Sequence, residues 1–119
     1  MPRVRAGFEI VDLTQLDGAA CPCGTSRRAF AATDSPCSVH LVEVKRDSQT
    51  HYHKRLTETY YFLSGRGHIE LDGELFPVKP GLAVRIPPGV RHRAVPGKGP
   101  MKMLNIVVPP FDPRDEWFD

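Results

Sequence analysis

Turn-forming residues recur along this chain at intervals too short for helices. From Ser38 onward, brief runs rich in β-branched and aromatic side chains alternate with Pro, Gly, Asp and Ser, the texture of a sandwich or barrel of short antiparallel strands. The runs are Val39 to Lys45, His51 to His53, Thr59 to Ser64, His68 to Leu71, Glu74 to Val78, Ala83 to Ile86, His92 to Val95 and Met103 to Val108. Asp72-Gly73 fits a tight hairpin, because Gly tolerates the positive φ of a primed two-residue turn. Lys79-Pro80-Gly81 and Pro87-Pro88-Gly89 fit turns in which Pro fixes one φ and Gly frees the next. Prolines at 87, 88, 96, 109 and 110 would interrupt helices, and no stretch repeats apolar residues at three and four. The fold class is therefore all-β.

Ahead of Ser38 the pattern is weak. Val4 to Leu16 has room for one short strand, Asp17 to Thr25 reads as a loop, and Arg27-Arg28 reads as a solvated basic cluster. The expected organisation is an N-terminal arm over 1–37, a barrel over 38–110 and a tail over 111–119. The tail carries Phe111, Trp117 and Phe118 among acids and is expected to lie across the barrel or a partner subunit. At 119 residues with 40% hydrophobic and 25% charged content, one core is expected. A net charge of +2 spread along the chain points away from nucleic acid. No apolar run approaches the ~20 residues of a membrane helix, and Met1 to Ile10 lacks the apolar centre of a secretory signal. Three cysteines cannot all pair within one chain, which suits a reducing compartment. The expected location is the cytoplasm.

The chemistry gathers at four residues. On an extended segment His51 and His53 project to one face with Tyr52 opposite, forming a pincer of two imidazoles. Glu58 opens the next run, after a turn through Lys54 to Thr57, and His92 follows the stiff Pro87-Pro88-Gly89 turn. Imidazole nitrogen with a hard carboxylate oxygen suits Fe, Mn, Zn, Ni or Cu in the divalent state, and affinity order alone does not choose between them. Four protein ligands on an octahedral ion leave two adjacent positions open for chemistry.

The stretch Asp47 to Gly65, DSQTHYHKRLTETYYFLSG, resembles the first cupin motif, with His51, His53, Glu58 and Gly65 at the motif spacings. Gly81 to Pro96, GLAVRIPPGVRHRAVP, resembles the second, with Gly81, Pro87, Gly89 and His92 in order. Asp47 stands where the first motif often has Gly, and Pro96 where the second often has Asn; neither is a ligand position. The resemblance covers roughly residues 38–110 and implies a double-stranded β-helix, the jelly-roll barrel of cupins, with the four ligands pointing inward. The family spans dioxygenases, isomerases, epimerases, decarboxylases, sugar-binding regulators and storage proteins, so it implies fold and metal rather than reaction.

Around this centre, alternation places Tyr60 and Phe62 in the cavity and Tyr61 and Leu63 outside. Tyr60 is the candidate catalytic side chain, able to hydrogen-bond a ligand or handle a proton. Arg85 would be an anion clamp if it faced inward, but an outward orientation is expected. His40 and His68 occupy no motif position and are expected at the surface or hydrogen-bonded. Cys21, Cys23, Cys37 and His40 hold enough donors for a second zinc site, yet the CxC bite is tight and free or redox-sensitive thiols are expected instead. The functional expectation is a small metalloenzyme, of dioxygenase or sugar-isomerase type, acting on a small oxygenated substrate. The alternative is a module that uses its metal to grip a small molecule or sugar. The resemblance also implies a homodimer, formed through Val4 to Leu13 and the apolar tail.

Overall fold

The computed structural model describes residues 3–5 and 7–119, with side chains from Gly7 onward. Residues 1, 2 and 6 and the side chain of Val4, which enters the expected dimer contact, lie outside the described residues. The strands are β1 (Arg3–Arg5), β2 (Phe8–Ile10), β3 (Ala19–Cys21), β4 (Gly24–Ala29), β5 (Ser38–Val44), β6 (Thr57–Ser64), β7 (Gly67–Leu71), β8 (Glu74–Val78), β9 (Ala83–Ile86), β10 (His92–Pro96) and β11 (Met101–Val108). No α-helix occurs among the described residues; one 3₁₀ turn covers Leu13–Gln15, where Asp12 accepts the Thr14 N–H at 2.9 Å.

Six strands make one antiparallel sheet in the order β3-β4-β5-β11-β6-β9, and three make a second in the order β10-β7-β8. The central strands carry the alternation that a half-buried strand requires. Along β11, Met101, Met103, Asn105 and Val107 face inward; along β5, Ser38, His40, Val42 and Val44 do. Val42, Val44, Phe62, Ile86, Met101 and Met103 of the large sheet pack with Ile69, Val78 and Ala94 of the small one. Fully burying a side chain such as Phe62 or Ile69 contributes about 1.5–3 kcal/mol. This is the all-β fold expected from the strand pattern, in the jelly-roll form that the motif resemblance implies.

The Asp72-Gly73 hairpin forms as its sequence demands, with φ of 49° and 86° at the two turn residues. Three segments differ from the sequence expectation. The run His51 to His53 is not a ladder strand but is held by two isolated bridges, His51 to His92 and Tyr52 to Trp117. Val4 to Leu16 holds two short strands and the 3₁₀ turn, and β1 and β2 form a sheet of their own. The supposed loop of Asp17 to Thr25 contains β3 and the start of β4, and Arg27-Arg28 lies on β4, paired along β5. Small and polar residues there hide the strand signal. A Cβ at Gly24, with φ of 155°, would stand 2.1 Å from the Glu43 carbonyl oxygen, so glycine is needed for β4 to approach β5.

Candidate metal centre

Two ligand segments are stitched to each other by backbone. The His51 N–H donates to the His92 carbonyl at 3.1 Å and the His92 N–H returns to the His51 carbonyl at 2.8 Å. Gly89 N–H, from the proline turn, donates to the His53 carbonyl at 2.8 Å. Glu58 sits near the start of β6 and His92 opens β10, so the loop and two strands deliver the four side chains to one place. Their donor atoms all lie within 4.8 Å of one another. Glu58 Oε1 is 3.0 Å from His53 Nε2 and 2.9 Å from His92 Nε2. Two donors held ~2.1 Å from one ion at a right angle stand about 3.0 Å apart, so this spacing fits a shared cation.

The remaining ring nitrogens complete the argument. His51 Nδ1–H donates to the Gln49 carbonyl at 3.3 Å, His53 Nδ1–H to the Asp115 carbonyl at 2.5 Å and His92 Nδ1–H to the Val90 carbonyl at 2.8 Å. Each carbonyl fixes its ring's orientation and leaves Nε2 as the ligand atom, which is how metal-binding imidazoles are held. Glu58 is oriented in the same manner, since Asn105 Nδ2–H donates to Oε2 at 2.6 Å.

The tail builds the floor of the site. The Asp115 carboxylate accepts the backbone N–H groups of Lys54, Arg55 and Leu56 at 2.9, 2.9 and 3.1 Å, and the Trp117 indole N–H at 3.0 Å. It therefore caps the turn between His53 and Glu58 while its own carbonyl orients His53. Glu116 Oε1 stands 3.7 Å from His51 Nε2.

Electrostatics distinguish His51, His53 and Glu58. Burial pulls the His51 pKa down to about 4, with His92 adding to the effect, so His51 is neutral at ordinary pH. Burial also opposes a charge on His53, but the hydrogen bond and charge of Glu58 outweigh it and raise that pKa above 6.5. Glu58 is desolvated, yet the hydrogen bonds from His53 and His92 hold it well below the usual carboxylate range.

A cavity of about 220 Å³ opens beside His51 and is lined also by Arg28, His40, Tyr60, Glu116, Cys21 and Cys23, among others. The sheet register explains its polarity. Arg28 pairs with His40, His40 with Asn105 and Asn105 with Tyr60, a polar row across four strands. The next row, Ser26, Val42, Met103 and Phe62, is largely apolar core. His40 Nε2 and the Ser38 hydroxyl share a hydrogen bond at 2.7 Å, and the Ser38 oxygen accepts the Phe111 N–H at 2.8 Å. Burial, with Arg28 nearby, lowers the His40 pKa to about 4. Burial and the nearby Glu58 charge raise the Tyr60 pKa, so its phenol stays protonated. Arg28 stacks over the Phe111 ring at 4.6 Å.

Tyr60 and Phe62 point inward while Tyr61 and Leu63 are exposed, and Tyr60 lies 6.2 Å from His92, ring centre to ring centre. Arg85 and His68 are exposed. Asp47, standing where the motif often has Gly, pairs with Arg93 at 3.0 Å. Cys37 lines a separate hollow with Phe30 and Ser35, so the three cysteines and His40 do not assemble a zinc site; among the described residues the His–Glu group is the one metal-capable cluster. Asn105, Asp115, Glu116, Arg28 and His40 carry site roles that motif spacing does not expose.

A jelly roll whose inner face gathers three imidazoles and a carboxylate on one point defines a class. Residues 38–107 match the model of the cupin domain, and the chain belongs to that family. It is 38% identical over 76 residues to an uncharacterized protein of Methanocaldococcus jannaschii, covering 63% of this chain and 61% of that one. It is 33% identical over 60 residues to the L-ectoine synthase of Halomonas elongata, covering 48% and 44%. The chain thus spans less than two thirds of the length of these curated relatives. Among solved structures, a Planctomyces limnophilus protein superposes with a TM-score of 0.88 at 41% identity, covering 95% of this chain and 98% of that one. The Streptomyces nucleoside dehydratase Pac13 superposes with a TM-score of 0.72 at 25% identity, covering 89% and 86%. No helix among the described residues is long and apolar enough to cross a membrane.

Proposed function

We propose that this protein is a metal-dependent enzyme that moves protons on a small, oxygenated, acidic substrate, in the manner of an isomerase or dehydratase. The observation that carries it is the cavity that joins His51 of the metal cluster to Tyr60, Glu116, His40 and Arg28. A purely structural metal needs no such opening with an acid and a base beside it. His51, His53, Glu58 and His92 hold the ion, which when bound supplies a Lewis acid to a substrate oxygen and lowers the cost of charge there.

The chain's own groups divide the remaining work. Arg28 pairs with the substrate's carboxylate or phosphate, a role its fixed charge suits. Glu116 takes a proton from the substrate carbon or hydroxyl, and Tyr60, held protonated, donates a hydrogen bond to the oxygen that gains charge. His40, neutral and oriented by Ser38, donates from Nδ1–H on the same side. The L-ectoine synthase and nucleoside dehydratase relatives support this branch over the dioxygenase branch. We further propose that the protein works in the cytoplasm as a homodimer formed through Val4 to Leu13 and the apolar tail, and deleting residues 1–10 is expected to yield monomer in sedimentation.

The test begins with elemental analysis of protein purified without added metal, expected to show Mn, Fe, Zn or Ni bound at one ion per chain. Turnover is then assayed on hydroxy acids and sugar phosphates. Glu116→Gln is expected to lower kcat by about 10²–10⁴-fold with metal content unchanged, whereas Arg28→Gln raises KM. Oxygen uptake with catechols or keto acids would instead select the dioxygenase branch. Ligand binding by calorimetry that is equal in wild type and Glu116→Gln, with no turnover on either panel, would select a binding module.

A further inference from the structure

The wall of the cavity beside His51 also carries two sulfur atoms that the proposed reaction does not use. Cys21 ends β3 and Cys23 occupies the turn before Gly24, with Pro22 between them. Their Sγ atoms are 3.2 Å apart and both side chains are half-buried on the cavity.

This closeness is built rather than incidental. Pro22 fixes one φ of the turn, and Cys21 and Gly24 close it as the last pair of the hairpin. The Cys23 carbonyl accepts N–H groups from Lys45 at 2.7 Å and Arg46 at 3.2 Å, which ties the turn to the end of β5. A disulfide requires the gap to close from 3.2 Å to ~2.05 Å, a movement of about 1 Å.

The two thiols are also unequal. Cys21 receives the hydrogen bond of the Cys23 thiol and those of the turn's own amides, at Gly24 and Cys23, and its pKa falls to about 6. Cys23, as the donor, is pushed up, with burial adding to the effect. Arg28 lies near enough to favour the Cys21 thiolate, so the surroundings are those of a reactive cysteine.

We propose that Cys21 and Cys23 form a peroxide-reactive dithiol on the cavity wall, with hydroperoxides as the co-substrate. The Cys21 thiolate attacks one peroxide oxygen; the O–O bond breaks, the other oxygen leaves as water after taking a proton, and Cys21 becomes a sulfenic acid. The Cys23 sulfur then attacks the Cys21 sulfur, the S–O bond breaks, and a second water leaves with the Cys23 proton. Two thiols and one hydrogen peroxide thus give one disulfide and two waters, the sulfurs losing the two electrons that the peroxide gains. Cys37 takes no part, and the reaction requires no metal.

The test treats the reduced, as-purified protein with hydrogen peroxide, quenches with N-ethylmaleimide and reads intact mass. The expected product has lost two hydrogens and carries one label, on Cys37, with both other sulfurs bridged inside the tryptic peptide 6–27. Cys23→Ser is expected to stop at a Cys21 sulfenic acid that dimedone traps, and Cys21→Ser to react on the order of tenfold more slowly or less. Cys37→Ala should react as the wild type does, and circular dichroism melts establish that each variant is folded. Oxidation of Cys37 ahead of the pair, a disulfide only between chains, or a Cys21→Ser protein that reacts as fast as wild type would overturn the proposal. None of these outcomes bears on the metal reading, which elemental analysis and Glu116→Gln judge separately.

Discussion

The C-terminal tail buries Asp115 to 5% exposure and sends it into the turn that separates two metal-ligand candidates, whereas the β1–β2 hairpin at the other end forms a sheet of its own. Neither region has a strong sequence pattern. The tail has almost no regular structure, yet it supplies a carbonyl to His53 and a carboxylate to three consecutive amides. The hairpin is regular, yet Ile10 remains 56% exposed. Regularity and structural importance are therefore different properties here. A site needs a few polar atoms at fixed positions, and a segment pinned by side-chain hydrogen bonds provides them without any ladder.

Deleting each end separately is the strongest way to break this comparison. Removal of residues 111–119 takes away the Asp115 cap, the His53 partner carbonyl and the Trp117 bridge together. The expected result is a protein that no longer retains metal through gel filtration and melts many degrees lower. Removal of residues 1–10 is expected to leave metal content at the wild-type level. If the two deletions lost metal equally, the tail would have no special part in the site.

The pattern of legibility follows the same division. The four metal-ligand candidates are visible in sequence because two motifs fix their spacing, and the strands from β5 to β11 because alternation and turn residues mark them. Tyr60 is placed correctly by alternation from Glu58. Asn105 was also within reach: it is the one amide in the inward register of Met101, Met103 and Val107. Arg28 was not, because Thr25 is the one β-branched residue in Gly24 to Ala29, too weak a strand signal, and the hairpin must be known before Arg28 can be set opposite His40. Asp115 is less legible still. Its partners lie 59 to 61 residues away, and no local propensity encodes a contact of that range.

A single substitution sharpens the comparison. Asp115→Ala leaves three backbone amides and an indole N–H without their acceptor, and is expected to cost about 3 kcal/mol and to weaken metal binding about 10–100-fold. The acid limb of the stability curve gives an independent check. The hydrogen bonds of Lys54, Arg55, Leu56 and Trp117 outweigh burial and lower the Asp115 pKa from 3.8 to about 2. Because the folded pKa lies below the unfolded one, this contribution is complete above about pH 5 and is lost as pH falls through the folded value. Asp115→Asn, followed by urea melts from neutral to low pH, is expected to show a shallower loss of stability across that interval. An unchanged acid limb would remove Asp115 from the account.

Asn105 allows a smaller test on a strand, away from both ends. Asn105→Leu keeps the approximate volume and removes the donor that orients Glu58 Oε2. Metal affinity measured by competition with a chelator is expected to fall about tenfold, while the tail contacts and the His53 carbonyl bond persist. A loss as large as that of Asp115→Ala would show that the carboxylate, rather than the tail-held loop, is the more delicate half of the centre.

The finest distinction concerns one proton. In the metal-free protein the Glu58 hydrogen bond is the main influence raising the His53 pKa, and the bond to the Asp115 carbonyl adds to it. Imidazole must be neutral to ligate, so an arriving cation displaces the His53 proton, and affinity climbs with pH until that pKa is passed. His51, with its pKa near 4, and Glu58, already ionised, have none to give. Calorimetry near pH 6.5 in buffers of different ionisation enthalpy should therefore show release of a proton on metal binding. The two ends then separate once more. With the tail removed, the His53 resonance in an NMR titration of the metal-free protein is expected to shift to lower pH, because one hydrogen-bond acceptor for the charged ring is gone. With residues 1–10 removed, the titration should overlay that of the full chain; a shift there would mean that the hairpin, too, reaches the metal centre.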